Sequence, residues 1–288
     1  MSPITSFRIV FVLCVIAGVP ACTYSTGVEQ EFAKSFPVSG RAAVRVHVSN
    51  ARIHVSTSAA ARVDFQVRYD TTGDESQPFA ARQDGNVIEL RERDLHRWSV
   101  WGGEGIQDAV VEVRMPADSD VDLITSNGAI EISTVNGTVR LHSNNGAITA
   151  SALKGSVTAE SSNGSISAED LDGRCDVSTS NGRIKVSGRF DGLNAHSSNG
   201  LIEAHAASGS TTASGWDIGT SNAPIELSLP TTLKADLDLS TSNGGMQLEL
   251  PVSVQGFQDQ SHLHGLLNGG GPEVSVHTSN GHIRIRGV

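Results

Sequence analysis

Five Asn-Gly pairs recur at an interval of 18 residues, at Asn127-Gly128, Asn145-Gly146, Asn163-Gly164, Asn181-Gly182 and Asn199-Gly200. Three residues after each Asn stands an isoleucine: Ile130, Ile148, Ile166, Ile184 and Ile202. A repeat this strict marks one supersecondary unit that buries its apolar face only against its neighbours. Written in rows of 18 from Val121 to Ser210, the chain shows further apolar columns: Val121, Val139, Val157, Cys175 and Leu193, then Leu123, Leu141, Ala159, Val177 and Ala195. They alternate with polar residues, which is strand periodicity. A second corner falls half a repeat later, at Val135-Asn136-Gly137, Leu153-Lys154-Gly155 and Leu171-Asp172-Gly173, with Phe190-Asp191-Gly192 one place late. Each unit is therefore two short strands and two glycine turns.

The signature returns with irregular spacing at Asn50 with Ile53, Asn222 with Ile225, Asn243 with Met246 and Asn280 with Ile283. Two folds satisfy the pattern. Asn-Gly between alternating apolar residues is a strong hairpin signal, so an antiparallel meander has to be considered. In a meander, however, Val135, Leu153 and Leu171 would face outward and Asp170 inward, and an unpaired buried carboxylate is costly. The expected fold is therefore an all-β, single-domain parallel β-solenoid with 18-residue coils about 4.8 Å apart. Stacked Asn127, Asn145, Asn163, Asn181 and Asn199 would then form a corner ladder, the glycine beside each would take a left-handed turn, and the isoleucines would form a core ladder.

The start of the chain reads as a targeting segment. Arg8 precedes an apolar stretch from Ile9 to Val19 and small residues up to Ala21, the layout of an export signal and shorter than the about 20 apolar residues that span a bilayer. Val19-Pro20-Ala21-Cys22 is similar to the lipobox of bacterial lipoproteins, in which the Cys is acylated and becomes the first residue, although Pro20 departs from the commoner small residue. Ordinary cleavage after Ala21 is the alternative. The expected organisation is a signal peptide at 1–21, a tether at 22–39 and the solenoid at 40–288, with irregular coils at 40–120, regular coils at 121–210 and irregular coils at 211–288. Cys14 leaves with the signal and Cys22 is the lipidation candidate, so Cys175, in a column otherwise filled by aliphatic residues, reads as a small buried hydrophobe without a disulfide partner.

The TSNG and SSNG units running into Ile strands, the lipoprotein-like leader and the closing Asn268-Gly269-Gly270-Gly271 resemble a bacterial "putative adhesin" domain family of unknown function, similar to head domains of auto-transporter adhesins. The resemblance covers roughly residues 40 to 288 and implies a β-solenoid outside the cytoplasm, in some relatives linked to envelope stress. It brings no catalytic residues.

Little chemistry is visible in the residues themselves. A net charge of -10 from 21 Lys and Arg against 31 Asp and Glu argues against nucleic acid as a partner. The acidic residues Glu160, Glu169, Asp170, Asp172 and Asp176 cluster on adjacent coils, and would be the site to test if the chain were an envelope polysaccharide-acting enzyme on a β-helix scaffold; they read instead as a solvated patch. His142 and His196 share a column but sit three coils apart, roughly 14 Å; His262 and His264 in the Gly-rich insertion, with His277 and His282 beyond it, could bind a transition metal but read instead as solvent-facing loop residues, so no metal site and no cofactor are expected. Trp98 and Trp101, in the loop Arg97 to Gly103, read either as a cap on the end of the stack or as aromatic contacts for a partner. The function expected is non-enzymatic: an exported, lipid-anchored envelope protein with structural or adhesive contacts to an unknown envelope protein or polysaccharide, at the outer membrane or in the periplasm of a double-membraned cell, with an envelope-stress sensing component as a further alternative.

Overall fold

The computed structural model describes residues 28–71, 78–93, 106–258 and 261–288, which form a 23-stranded sheet without helices. The segments 1–21 and Cys22 lie outside the described residues, as do Trp98 and Trp101. Among the described residues no helix is long and apolar enough to cross a membrane.

The sheet is solenoid-like. Asn136–Ser143 pairs in parallel with Lys154–Ser161, Val139 opposite Val157 and Leu141 opposite Ala159, and Ile148–Ser151 pairs in parallel with the start of Ile166–Thr179, Ile148 opposite Ile166. Partners are thus 18 residues apart, and identical inward positions stack. The isoleucine column runs from Ile53 through Ile130, Ile148, Ile166, Ile184, Ile202 and Ile225 to Ile283, none more than 1% exposed. At about 1.5–3 kcal/mol per buried aliphatic side chain this column is a main source of cohesion, which explains how a chain with few aromatics holds together.

At the second corner Thr134, Ala152 and Asp170 adopt left-handed φ of 61°, 51° and 54°. A left-handed non-glycine residue costs roughly 1 kcal/mol, but it breaks the alternation of faces by one step. Asp170 is exposed, and Val135, Leu153 and Leu171 turn into the core. The corner does not always interrupt the strand: Ile166–Thr179 and Ile184–Ser197 run through it as 14-residue strands, so the expectation of two short strands per coil does not describe these rows. The late Phe190 produces a register shift between Gly173 and Arg174, and its ring packs edge-on against Trp216 at 6.1 Å.

The stack does not follow chain order at its ends. Glu273–Thr278 lies between Trp216–Thr220 and Ala235–Thr241, parallel to both, and Ile283–Gly287 lies between Ile225–Leu229 and Met246–Glu249. The last coil of the chain is therefore the penultimate coil of the stack. The same happens at the other end, where Ala42–His47 sits between Val87–Glu92 and Ser119–Thr125, and Arg52–Thr57 between Ile106–Met115 and Ile130–Ser133.

Antiparallel strands finish each end. Val28–Pro37 pairs with Arg62–Thr71, which pairs with Ile106–Met115, so most of the segment expected as a tether is part of the sheet. The reason is its spacing: Phe32 and Phe36 fall on one face and pack against Phe79 and Phe65, at 6.5 and 6.2 Å between rings. On Val87–Glu92, which lies between Ala42–His47 and the edge strand Phe79–Asp84, Glu89 is sealed, its side chain 5% exposed, between Arg82 and Arg91. Burial pushes its carboxyl up, but hydrogen bonds and charge from Arg91 and Arg82 outweigh burial and hold it below the usual carboxylate range.

Candidate functional site

Two surfaces are built by the repeat: the Asn corner and the flank beside it. At the corner each Asn donates from Nδ2 to Oδ1 of the Asn one layer away, Asn145 to Asn127 at 2.6 Å, Asn163 to Asn145 at 2.7 Å, Asn181 to Asn163 at 2.8 Å and Asn199 to Asn181 at 2.9 Å. The chain of amides continues outward to Asn50 at one end, and through Asn222 and Asn280 to Asn243 at the other. Each interior amide uses one N–H and one lone pair within the ladder; Asn199 and Asn280 also donate from Nδ2 to the Ser180 and Ser221 carbonyls, at 3.5 and 3.4 Å, and the other exposed asparagines keep a second donor and acceptor outside the ladder.

Behind the exposed asparagines runs a buried hydroxyl row. Ser143 Oγ accepts from the Gly146 N–H at 2.9 Å and donates to the Gly128 carbonyl at 3.1 Å, and Thr125, Ser161, Thr179, Ser197 and Thr278 repeat the arrangement. Each hydroxyl satisfies an otherwise orphaned corner N–H and ties one coil to the next. The corner glycines have a different role from the one expected. Gly128, Gly146, Gly164, Gly182 and Gly200 do not take positive φ; a Cβ on Gly146 would stand 1.8 Å from the Gly128 carbonyl oxygen. Glycine is required by the close approach of stacked backbones.

Between the Ser or Thr and the Asn stands a small polar residue, with Asn144, Ser162, Ser180, Ser198, Ser221 and Ser279 exposed. It borders the flank, where a groove of about 370 Å³ is lined by Ser178, Ser180, Ser198, His196, Gly219 and His277 among others. The flank is rich in histidine facing carboxylates on neighbouring strands: His142 and Glu160 at 3.5 Å, His196 and Asp217 at 3.5 Å, His277 and Asp217 at 3.6 Å. His262 and His264, expected in a loop, lie on the strand His262–Leu267 against Asp238 and Asp236, each at 3.4 Å. The alternation of His262 and His264 about Leu263, which is buried, draws this segment into the sheet.

Of the acidic residues considered for an enzyme, Glu160, Glu169, Asp172 and Asp176 are engaged with bases or amides, and Asp170 is exposed at the second corner. Glu169 meets Lys185 at 2.7 Å, and the Lys185 hydrogen bond and charge hold its carboxyl below the usual range. Asp172 pairs with Arg189, and Asp176 with Arg174 and Asn194. Cys175 is sealed between Val157 and Leu193, and burial, with the Asp176 charge adding to it, pushes its thiol up to about 12. A thiol held neutral in this way is a packing group.

The grouping of His196, Asp217 and His277 was missed in the sequence, although the signal exists. His277 stands three residues before Asn280 as His196 stands three before Asn199, so both occupy one column. Spacing shows the column; only the insertion of the last coil shows how close the two residues are.

Solved structures with a similar course cover most of this chain at low identity. A putative adhesin from Bacteroides fragilis is 9% identical over 90% of this chain and 97% of its own, with a TM-score of 0.42. A putative lipid binding protein from Parabacteroides distasonis is 12% identical over 88% and 96%, with a TM-score of 0.41. A putative cell adhesion protein from Clostridium sporogenes is 11% identical over 90% and 100%, with a TM-score of 0.28. No curated protein matches the sequence. The Toastrack DUF4097 family profile matches residues 43–286, nearly the whole sheet described above, and the chain belongs to that family.

Proposed function

We propose that the protein is a non-enzymatic, exported envelope protein, lipid-anchored through Cys22 after removal of residues 1–21, whose corner and flank make repetitive polar contacts with an envelope polysaccharide. In this reading the sheet is a parallel β-solenoid of 18-residue coils that serves as a rigid ruler, and Trp98 and Trp101 cap it or add to the contact. The observation that carries the reading is the unbroken amide ladder from Asn50 to Asn243. Except at Asn199 and Asn280, whose Nδ2 groups also donate to backbone carbonyls, it presents donors and acceptors not used within the ladder at a spacing of about 4.8 Å, beside a row of exposed Ser hydroxyls. Many weak, evenly spaced hydrogen bonds on a preorganised surface suit a polymeric sugar, because ordering costs fall on the ligand alone.

Two measurements test this. Mass analysis of the mature amino terminus from the envelope fraction should find acyl chains on Cys22; an unmodified amine there removes the anchor from the proposal. The purified protein should co-sediment with insoluble peptidoglycan without hydrolysing it. Replacing Ser162, Ser180 and Ser198 by Ala should weaken that binding at least about tenfold while leaving the melting midpoint in place, since exposed hydroxyls contribute little to stability. Absence of co-sedimentation, or equal binding by the triple variant, overturns the assignment of this surface.

A further inference from the structure

We propose that His196, Asp217 and His277 form a binding site for a divalent late transition metal ion, with zinc as the defining probe. Their donor atoms, one from each residue, all lie within 4.8 Å of one another. The Asp217 carboxylate stands between the two imidazoles, one oxygen 3.5 Å from His196 Nε2 and the other 3.6 Å from His277 Nδ1. A zinc ion takes ligands at about 2.0–2.2 Å in a tetrahedron, whose edges are about 3.4 Å, so each imidazole already stands about one edge from a carboxylate oxygen, though not from the same one. Closing the site needs the carboxylate to turn one oxygen towards both rings, or to use both, and the donor atoms to draw in from within 4.8 Å of one another.

The backbone explains why these rings approach each other. His196 and His277 lie on strands two layers apart, separated by Trp216–Thr220, with Gly219 directly between them in the column. Two strand spacings are about 9.6 Å, yet the ring centroids are 6.1 Å apart. The intervening position is empty of side chain, and the His277 ring occupies it: a Cβ on Gly219 would fall 2.2 Å from His277 Cε1 and Nε2. A glycine that serves neither a corner nor a turn thus permits the two histidines to converge over one carboxylate.

The donor set fits zinc and its neighbours in the series better than calcium or magnesium, which favour oxygen ligands. All three side chains are about half exposed, at 43%, 51% and 49%. A bound ion would keep open positions towards the Ser-lined groove, as in sites where zinc has three protein ligands. The inference does not depend on the proposed sugar contact, and its test reads the metal alone.

Isothermal titration of the untagged, metal-stripped protein with zinc chloride should show one saturable site, and zinc should raise the melting midpoint. His196→Ala, Asp217→Asn and His277→Ala should each weaken binding by about tenfold or more, while their midpoints without zinc stay at the wild-type value. Gly219→Ala, which displaces the His277 ring without touching a donor, should weaken binding as well. His262→Ala and His264→Ala should leave it unchanged. Absence of saturable heat in the wild type, or loss of binding in the His262 and His264 variants with retention in the other three, overturns the proposal.

Discussion

The middle of the molecule and its ends solve the same packing problem in different ways. From Asn127 to Asn222 the stack follows chain order, and ladder partners are 18 to 23 residues apart. At the ends the partners are far apart in sequence, 77 residues for Asn50 and Asn127 and 58 for Asn222 and Asn280. Closing a longer loop costs more entropy, although the cost grows slowly with length. The compensation is that each chain-terminal coil has a neighbour on both sides, where a simple repeat array would leave it on an open end. The centre is held by parallel strands that repeat the same contacts; the ends add strands that reverse direction.

The largest expected effect probes the close stacking of the centre. Gly164→Ala would place a Cβ 2.0 Å from the Gly146 carbonyl oxygen and should cost about 3 kcal/mol, whereas Gly245→Ala, in the outermost coil with nothing near its Cβ, should stay within about 0.5 kcal/mol. Urea denaturation of both variants gives the comparison directly. Equal losses would mean that glycine acts there through chain entropy and not through contact between coils.

An intermediate effect separates the ends by pH. The folded carboxyl of Glu89 is held low, so its ion pairs stabilise the protein at pH values above the unfolded carboxyl value of about 4.3, and that contribution is lost as pH falls through the folded value. Glu89→Gln should cost about 1.5 kcal/mol at pH 7, discounted for the exposed guanidinium groups, and the gap to wild type should shrink on acidification. Hydrogen exchange during acid titration should open 78–93 and 106–115 while residues 121–206 remain protected.

The smallest effect reads position within the ladder. Asn163→Ala removes two side-chain hydrogen bonds and should cost about 1 kcal/mol, against about 0.5 kcal/mol for Asn243→Ala, which removes one. Thermal melts of the two single variants check the ratio.

The regular rows were legible because every layer repeats the same identities: the Ile column, the Asn row and the inward turn of Leu153 all follow from spacing and from the cost of burying Asp170. What spacing does not encode is the order of layers that are not consecutive. Asn280 carries the same signature as Asn222, and nothing local says that its coil slides beneath that of Asn243. The glycine reading failed for a related reason, since Asn-Gly is compatible with a left-handed turn, whereas the carbonyl that excludes a Cβ at Gly146 comes from a coil 18 residues earlier. The strand Val28–Pro37 lacks the repeat signature, and its place is set by Phe32 and Phe36 meeting residues far along the chain.

The slot filled by the last coil gives assembly a direction. Glu273–Thr278 and Ile283–Gly287 enter between two walls, both supplied by earlier sequence. A polypeptide emerging amino end first has both walls available before this layer, and holds two facing edges open until residues 273–287 arrive. This segment thus works as a keystone, and a chain without it would be left with a gap between two layers in place of a shortened end.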